Sequence, residues 1–186
     1  MARIRSVGLP PPLDQKGLEE MALRYVGRFA TTRAKLIAYL WRKVRERGWN
    51  EHEEPDLDAL SRRFCELGYV DDAAYAIAKS RSLSSRGYGR RRLEQKLRLA
   101  GISEKDGAAA RREAEVEALD AALRYAERRR IGPWGKGETD PRLREKAIAA
   151  MVRAGHPLSL AIAISSLAPG AEINREQLSR ERHDYP

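Results

Sequence analysis

The chain has little of what cross-links, anchors or catalyses. Cys65 is the one cysteine in 186 residues, so no disulfide can close within the chain. Its place in a helical apolar stretch marks it as a small core residue, and a reducing cytosol is the expected setting. No apolar run approaches the roughly 20 residues that span a bilayer. Met1 to Gly17 carries two arginines and no hydrophobic signal-peptide core. Both absences predict a cytoplasmic protein without a membrane partner. Three histidines, His52, His156 and His183, are scattered without ligand spacing and read as surface or loop residues, not as a metal site. The run GYGRRR has neither the spacing nor the Lys-Ser/Thr ending of a phosphate-cradling loop. With no clustered nucleophile, acid or base, no catalytic residue is assigned, no cofactor or metal is expected, and the chain reads as a non-enzyme.

Positive charge is what the chain has in excess. Lys and Arg number 36 against 27 Asp and Glu, a formal net charge of +9, which favours polyanionic partners by long-range attraction and says nothing of the fold. The excess is patchy. From Lys79 to Arg98 there are eight basic residues and one Glu, whereas from Ile102 to Asp120 six acids outnumber three bases.

Helical periodicity dominates the rest. Leu18, Met21, Ala22, Tyr25, Val26 and Phe29 share one face, and Thr31 or Thr32 can cap the helix that follows. Leu36, Leu40 and Val44 recur every four residues before Gly48, and Leu57, Leu60, Phe64 and Leu67 make a third stripe after a cap at Asp56. Asp71 stands at an N-cap with Asp72 behind it in the first turn of a helix whose apolar side is Tyr75, Ile77 and Ala78. Gly87-Tyr88-Gly89 interrupts it. The next helix opens at Arg90, has Leu93 and Leu97 inside and ends at Gly101. Ser103 with Asp106 resembles a capping box, and Val116, Leu119, Leu123 and Ala126 mark the helix after it. A helix through Leu143, Ala147, Ile148, Met151 and Val152 ends at Gly155, and Leu160, Ile164 and Leu167 give the last stripe.

Tyr25, Tyr75 and Tyr125 stand 50 residues apart in the first helix of successive trios, and Gly48, Gly101 and Gly155 close the second helices at intervals of 53 and 54. The predicted fold is all-α: an elongated, curved array of three tandem three-helix units. Residues 17–68, 69–115 and 116–168 form the three units, residues 1–16 a flexible arm containing Pro10 to Pro12 and burying little, and residues 169–186 a polar, partly disordered tail.

The second helices of the first two units are dense in Lys and Arg on their polar sides, which suits phosphate contact and equally suits a solvated face. Tyr88-Gly89-Arg90 and Trp134-Gly135-Lys136 place an aromatic, a glycine and a base alike. Each ring can stack on a ligand or pack on its own unit, and packing is the commoner role for a loop aromatic.

GYVDDAAYA at Gly68 to Ala76, followed by RGYGRRRLEQKLRLAGI at Arg86 to Ile102, resembles the signature of the RecX family of bacterial recombination regulators: GY-[LIV]-DD, a KGYG-type loop, and a helix ending in GI. The sequence departs at Arg90, where the family more often has proline, and at Arg86 in place of Lys. The resemblance implies a monomeric modulator, chiefly inhibitory, of the RecA recombinase filament in DNA repair and the SOS response. Members are thought to lie along the filament groove across successive protomers, impeding ATP hydrolysis and strand exchange. On that footing Arg42, Arg45, Tyr88, Arg90, Arg91, Arg92 and Lys96 are the expected contacts to the filament or to single- or double-stranded DNA, with Asp71 and Asp72 as structural caps. A stand-alone nucleic-acid-binding helical repeat module is the alternative.

Overall fold

The computed structural model describes residues 11–136 and 140–181. Most of the expected arm, residues 1–10, and His183 in the tail lie outside them. Among the described residues the chain is all-α, with ten α-helices, one 3-10 turn and no strand beyond an isolated bridge between Leu13 and Trp49. Two compact units divide between Tyr75 and Ala76.

The first unit holds α1 (Gln15–Val26), α2 (Arg33–Arg47) and α3 (Leu57–Glu66). Each starts on a side-chain cap that satisfies an N–H the helix itself leaves open: Asp14 for Gly17, Thr32 for Lys35 and Asp56 for Ala59. Leu18, Leu36, Leu40, Leu57, Leu60 and Phe64 are buried together, as their spacing predicts. Two stripe residues are not. Phe29 lies beyond the end of α1 and Leu67 beyond the end of α3, and both are more than half exposed, while Val70 fills the core in their place.

The expectation that residues up to Lys16 bury little is corrected for residues 11–16. Leu13 is 2% exposed, its N–H donates to Gly48 O at 2.9 Å and its carbonyl accepts from Asn50 N–H at 2.9 Å. Pro11 and Pro12, with φ fixed by their rings and no N–H to give a helix, suit a non-helical lead-in to the segment that pairs with the chain leaving α2. Gly48, with φ of 84°, makes the turn that brings its carbonyl there.

Helix α4 (Asp72–Ser85) carries the chain into the second unit, followed by α5 (Arg90–Leu99), α6 (Glu104–Val116), α7 (Ala118–Arg129), the 3-10 turn Gly132–Trp134, α8 (Pro141–Arg153), α9 (Leu158–Ser165) and α10 (Arg175–Arg180). Thus Tyr25, Tyr75 and Tyr125 do lie in α1, α4 and α7. Helix α4 buries Ala76, Ser80 and Leu83, not the expected Tyr75, Ile77 and Ala78, because a small face lets it approach α6 closely enough for Ser80 Oγ to donate to Ala110 O at 3.1 Å. The break between α6 and α7 falls at Glu117, beyond Val116, which the stripe assigns to the later helix. Val116 therefore ends α6 and is 75% exposed.

Leu119, Leu123, Tyr125, Met151, Leu160 and Ile164 are buried together in a core of this unit. The expected polar tail contributes to it as well. Asn174 caps α10, Leu178 is buried, and Arg175 pairs with Asp120 of α7. One leucine in a short capped helix is too weak a periodic signal to register against its charged neighbours.

Candidate nucleic-acid interface

In the first unit the basic face lies on α2, where Arg42 and Arg45 are exposed. Arg42 is held on both sides. Its Nε is 3.6 Å from Glu46 Oε1, and its guanidinium lies 5.6 Å from the ring of Tyr39, which stacks on Tyr25 with centroids 4.1 Å apart. The Glu46 carboxyl is held below its ordinary range, first by the hydrogen bond from Lys43 and further by the charges of Lys43 and Arg42. Two of the cations on this face are therefore partly offset.

At α4's first turn, Asp71 Oδ1 accepts the Ala74 N–H at 2.8 Å. Asp72 does something its position in sequence does not suggest: its Oδ1 accepts the N–H of Arg33 at 2.8 Å, satisfying the open first turn of α2. Both carboxylates are used structurally.

In the second unit the loop Gly87-Tyr88-Gly89 and the start of α5 are clasped by the turn between α8 and α9. Gly89 N–H donates to Ala154 O at 3.0 Å, and Arg91 N–H to Gly155 O at 3.2 Å. The backbones meet so closely that a Cβ on Gly155 would lie 2.5 Å from Arg92 N, a Cβ on Gly89 would overlap the Gly155 carbonyl, and a Cβ on Gly87 would lie 2.8 Å from Tyr125 N. Glycine is needed at all three. Two N–H groups at the N-terminal end of α5, which a phosphate would otherwise find open, are thus engaged within the chain, so this helix end offers less to a phosphate than an open one would.

The side chains here are unequal. Tyr88 is half-buried against the core, with the guanidinium groups of Arg86 and Arg92 at 5.5 and 5.9 Å from its ring, so it packs on its own unit and carries cations on its open surface. Trp134 packs against the same core. Arg90 reaches Glu115 of α6 at 3.0 Å and Glu94 at 3.9 Å, using its charge inside the unit where a proline would have none to give. Arg91 is exposed, Arg92 Nη1 donates to Gln95 at 2.9 Å, and Lys96 is half-buried one turn on.

His156 corrects the expectation of a surface or loop histidine. It is 1% exposed, its Nε2 lies 3.0 Å from Gly87 O, and burial lowers its pKa to about 4. The receiving turn, Ala154 to His156, went unassigned because its partners lie some sixty residues away in sequence. Gly155-His156-Pro157 marks a turn and says nothing of what docks on it. Arg111 was also missed. Its side chain is 15% exposed, and it bridges Glu94 at 3.0 Å and Glu104 at 3.2 Å, joining α5 to α6.

Among the described residues no group of three or more His, Cys, Asp or Glu could hold a metal ion, and no helix is long and apolar enough to cross a membrane. The family model for the second three-helix domain of RecX matches residues 71–110, the stretch from the Asp71 cap to α6. A protein of Myxococcus xanthus named Regulatory protein RecX is 34% identical over 163 residues, covering 82% of this chain and 86% of the relative. The chain belongs to the RecX family. A Regulatory protein RecX of Thermobifida fusca is 33% identical over 144 residues, 76% of this chain and 72% of the relative. The crystal structure of RecX from Lactobacillus salivarius superimposes with a TM-score of 0.60 at 15% identity, over 81% of this chain and 95% of that one. A second crystal structure of regulatory protein RecX gives a TM-score of 0.56 at 19% identity, over 82% and 77%. These last two bear on the fold, which is the all-α helical repeat of the family.

Proposed function

We propose that the chain acts in the cytoplasm as a monomeric regulator that docks on the RecA-DNA filament and holds back recombinase ATP turnover and strand exchange. Membership of the RecX family, whose relatives carry the name Regulatory protein, is the single observation that carries this reading. The residue chemistry supports it. Arg42 and Arg45 on α2, and Arg90, Arg91, Arg92 and Lys96 on α5, offer charge-assisted hydrogen bonds to an acidic protein surface or to phosphates. Tyr88 serves from beneath, as a ring on which Arg86 and Arg92 rest. Many weak contacts on one chain act at high effective concentration, so modest contacts suffice on a polymer. In this reading the chain contributes binding and no bond chemistry.

The charge alone would suit a stand-alone nucleic-acid-binding module, and salt separates the two readings. Inhibition of ATP turnover on a preformed RecA filament should persist at ionic strength where binding to naked DNA is gone. Reversing Arg90, Arg91 and Arg92 to Glu should relieve it. Unchanged turnover at saturating protein would overturn the proposal.

A further inference from the structure

A cavity of about 330 Å³ opens in the second unit beside the last turn of α7, the 3-10 turn and the first half of α8. Arg129, Arg130, Lys136, Arg144 and Lys146 line it, and among the described residues no carboxylate does. Its floor is apolar: Ile131, Ala147 and Ala150, with Leu143 standing 57% exposed at the edge. Some arginines of this unit are answered by carboxylates, Arg81 by Glu113, Arg111 by Glu94 and Arg124 by Glu117, while others such as Arg92, which donates to Gln95, are not. Among the described residues none of the five cavity cations has such a partner. All five are exposed, so water and salt screen their repulsion, and Arg129 also lies 5.8 Å from the Tyr125 ring, yet together they give the hollow a positive rim that a counter-charge would offset.

The backbone points the same way. Arg130, with φ 55° and ψ 49°, is the only non-glycine residue in the left-handed region among those described. That conformation costs an L-residue on the order of 1 kcal/mol. Gly87, Gly101 and Gly155 meet the same need beyond other helices of this unit without that penalty. An arginine in a conformation that glycine adopts more easily places its side chain on the rim of this cavity.

We propose that this cavity takes one nucleoside phosphate, its base against the apolar floor and its phosphate among the arginine and lysine rim. The volume falls at the lower end of the ~300–1,000 Å³ range of small-ligand sites, and guanidinium groups match phosphate oxygens two at a time. A bare inorganic anion would leave the floor unused, and an apolar ligand would leave five cations unanswered. The nucleoside phosphate comes either as free nucleotide or as one residue of a single strand.

The inference is independent of filament docking and is tested with no recombinase present, so either can fail alone. Binding of ATP and of fluorescein-labelled oligothymidylate to the full chain is measured for the wild type, Arg130→Gly and Leu143→Ser. Arg130→Gly relieves backbone strain, so its melting temperature should hold or rise while affinity falls roughly tenfold, the worth of one charged hydrogen bond. Leu143→Ser, at an exposed position, should weaken the same probe severalfold by spoiling the floor. Loss with ATP identifies free nucleotide, and loss with oligothymidylate alone identifies a single strand. The proposal is overturned if neither probe binds, if both variants bind like the wild type, or if only Arg130→Gly weakens binding, since that describes a charged patch without a base site.

Discussion

The imidazole of His156 and the carbonyl of Gly87 face each other 3.0 Å apart across the clasp, deep in the second unit. A carbonyl oxygen only accepts, so Nε2 carries the hydrogen and the neutral tautomer is set. The nearest ring is Tyr125, tilted at 5.7 Å. With its pKa lowered from 6.5 to about 4 by burial, the folded state keeps His156 neutral where the unfolded chain would protonate it. The unfolded state therefore binds the extra proton. Stability from this group is complete above about pH 6.5 and is lost as pH falls through about 4, by about 3 kcal/mol at most. Thermal melts across that window should show it, and His156→Gln, which keeps an N–H for Gly87, should flatten the dependence.

Glycine contacts in the clasp predict a graded series. Gly89→Ala drives a methyl into the Gly155 carbonyl and should cost about 2 kcal/mol or more. Gly68→Ala meets nothing within 4 Å and bears only the left-handed backbone, on the order of 1 kcal/mol. Denaturant midpoints that rank the two the other way would refute the clasp as a stabilising contact.

Arg111 should matter more than its neighbours on α6. Replacing Glu94 by Gln leaves a largely covered guanidinium with one weaker acceptor and should cost about 1 kcal/mol. Arg81→Ala, on a pair whose arginine is 71% exposed, should fall within about 0.5 kcal/mol of the wild type.

For the filament surface, Lys96→Glu separates contact from stability. Arg90→Glu also sets a carboxylate against Glu115 and Glu94, so its effect on ATP turnover mixes lost binding with a loosened unit. Lys96 has no ion pair among the described residues. Its reversal should relieve inhibition with an unchanged melting temperature, and full inhibition by Lys96→Glu would remove this residue from the contact set.

Leucine stripes were legible in the sequence because a 3.6-residue period of large apolar side chains has few other readings. Leu36, Leu40, Leu93 and Leu97 are fully buried where the period puts them. Faces built of small residues were not legible. Ala76 and Ser80 on α4 and Ala110 and Ala114 on α6 pack by closeness of approach, and hydropathy is nearly silent about that. Long-range partners escaped for a different reason. Gly89 and Gly155 signal turns locally, but only the folded chain brings the Ala154 carbonyl to the Gly89 N–H and the Gly155 carbonyl to the Arg91 N–H. The candidate interface followed this split: its charges could be counted along the sequence, while Arg90's ties to Glu94 and Glu115 could not.

Because the GYG loop is stitched to the α8-α9 turn through its main chain, the arginines at the head of α5 meet any visitor from anchored ground. Their shoulders do not need to settle first, and only the outer atoms of each side chain remain to be ordered. If this edge docks as proposed, encounter rather than rearrangement would set how fast it is taken up, and added salt should slow the arrival more than it alters the shape that arrives.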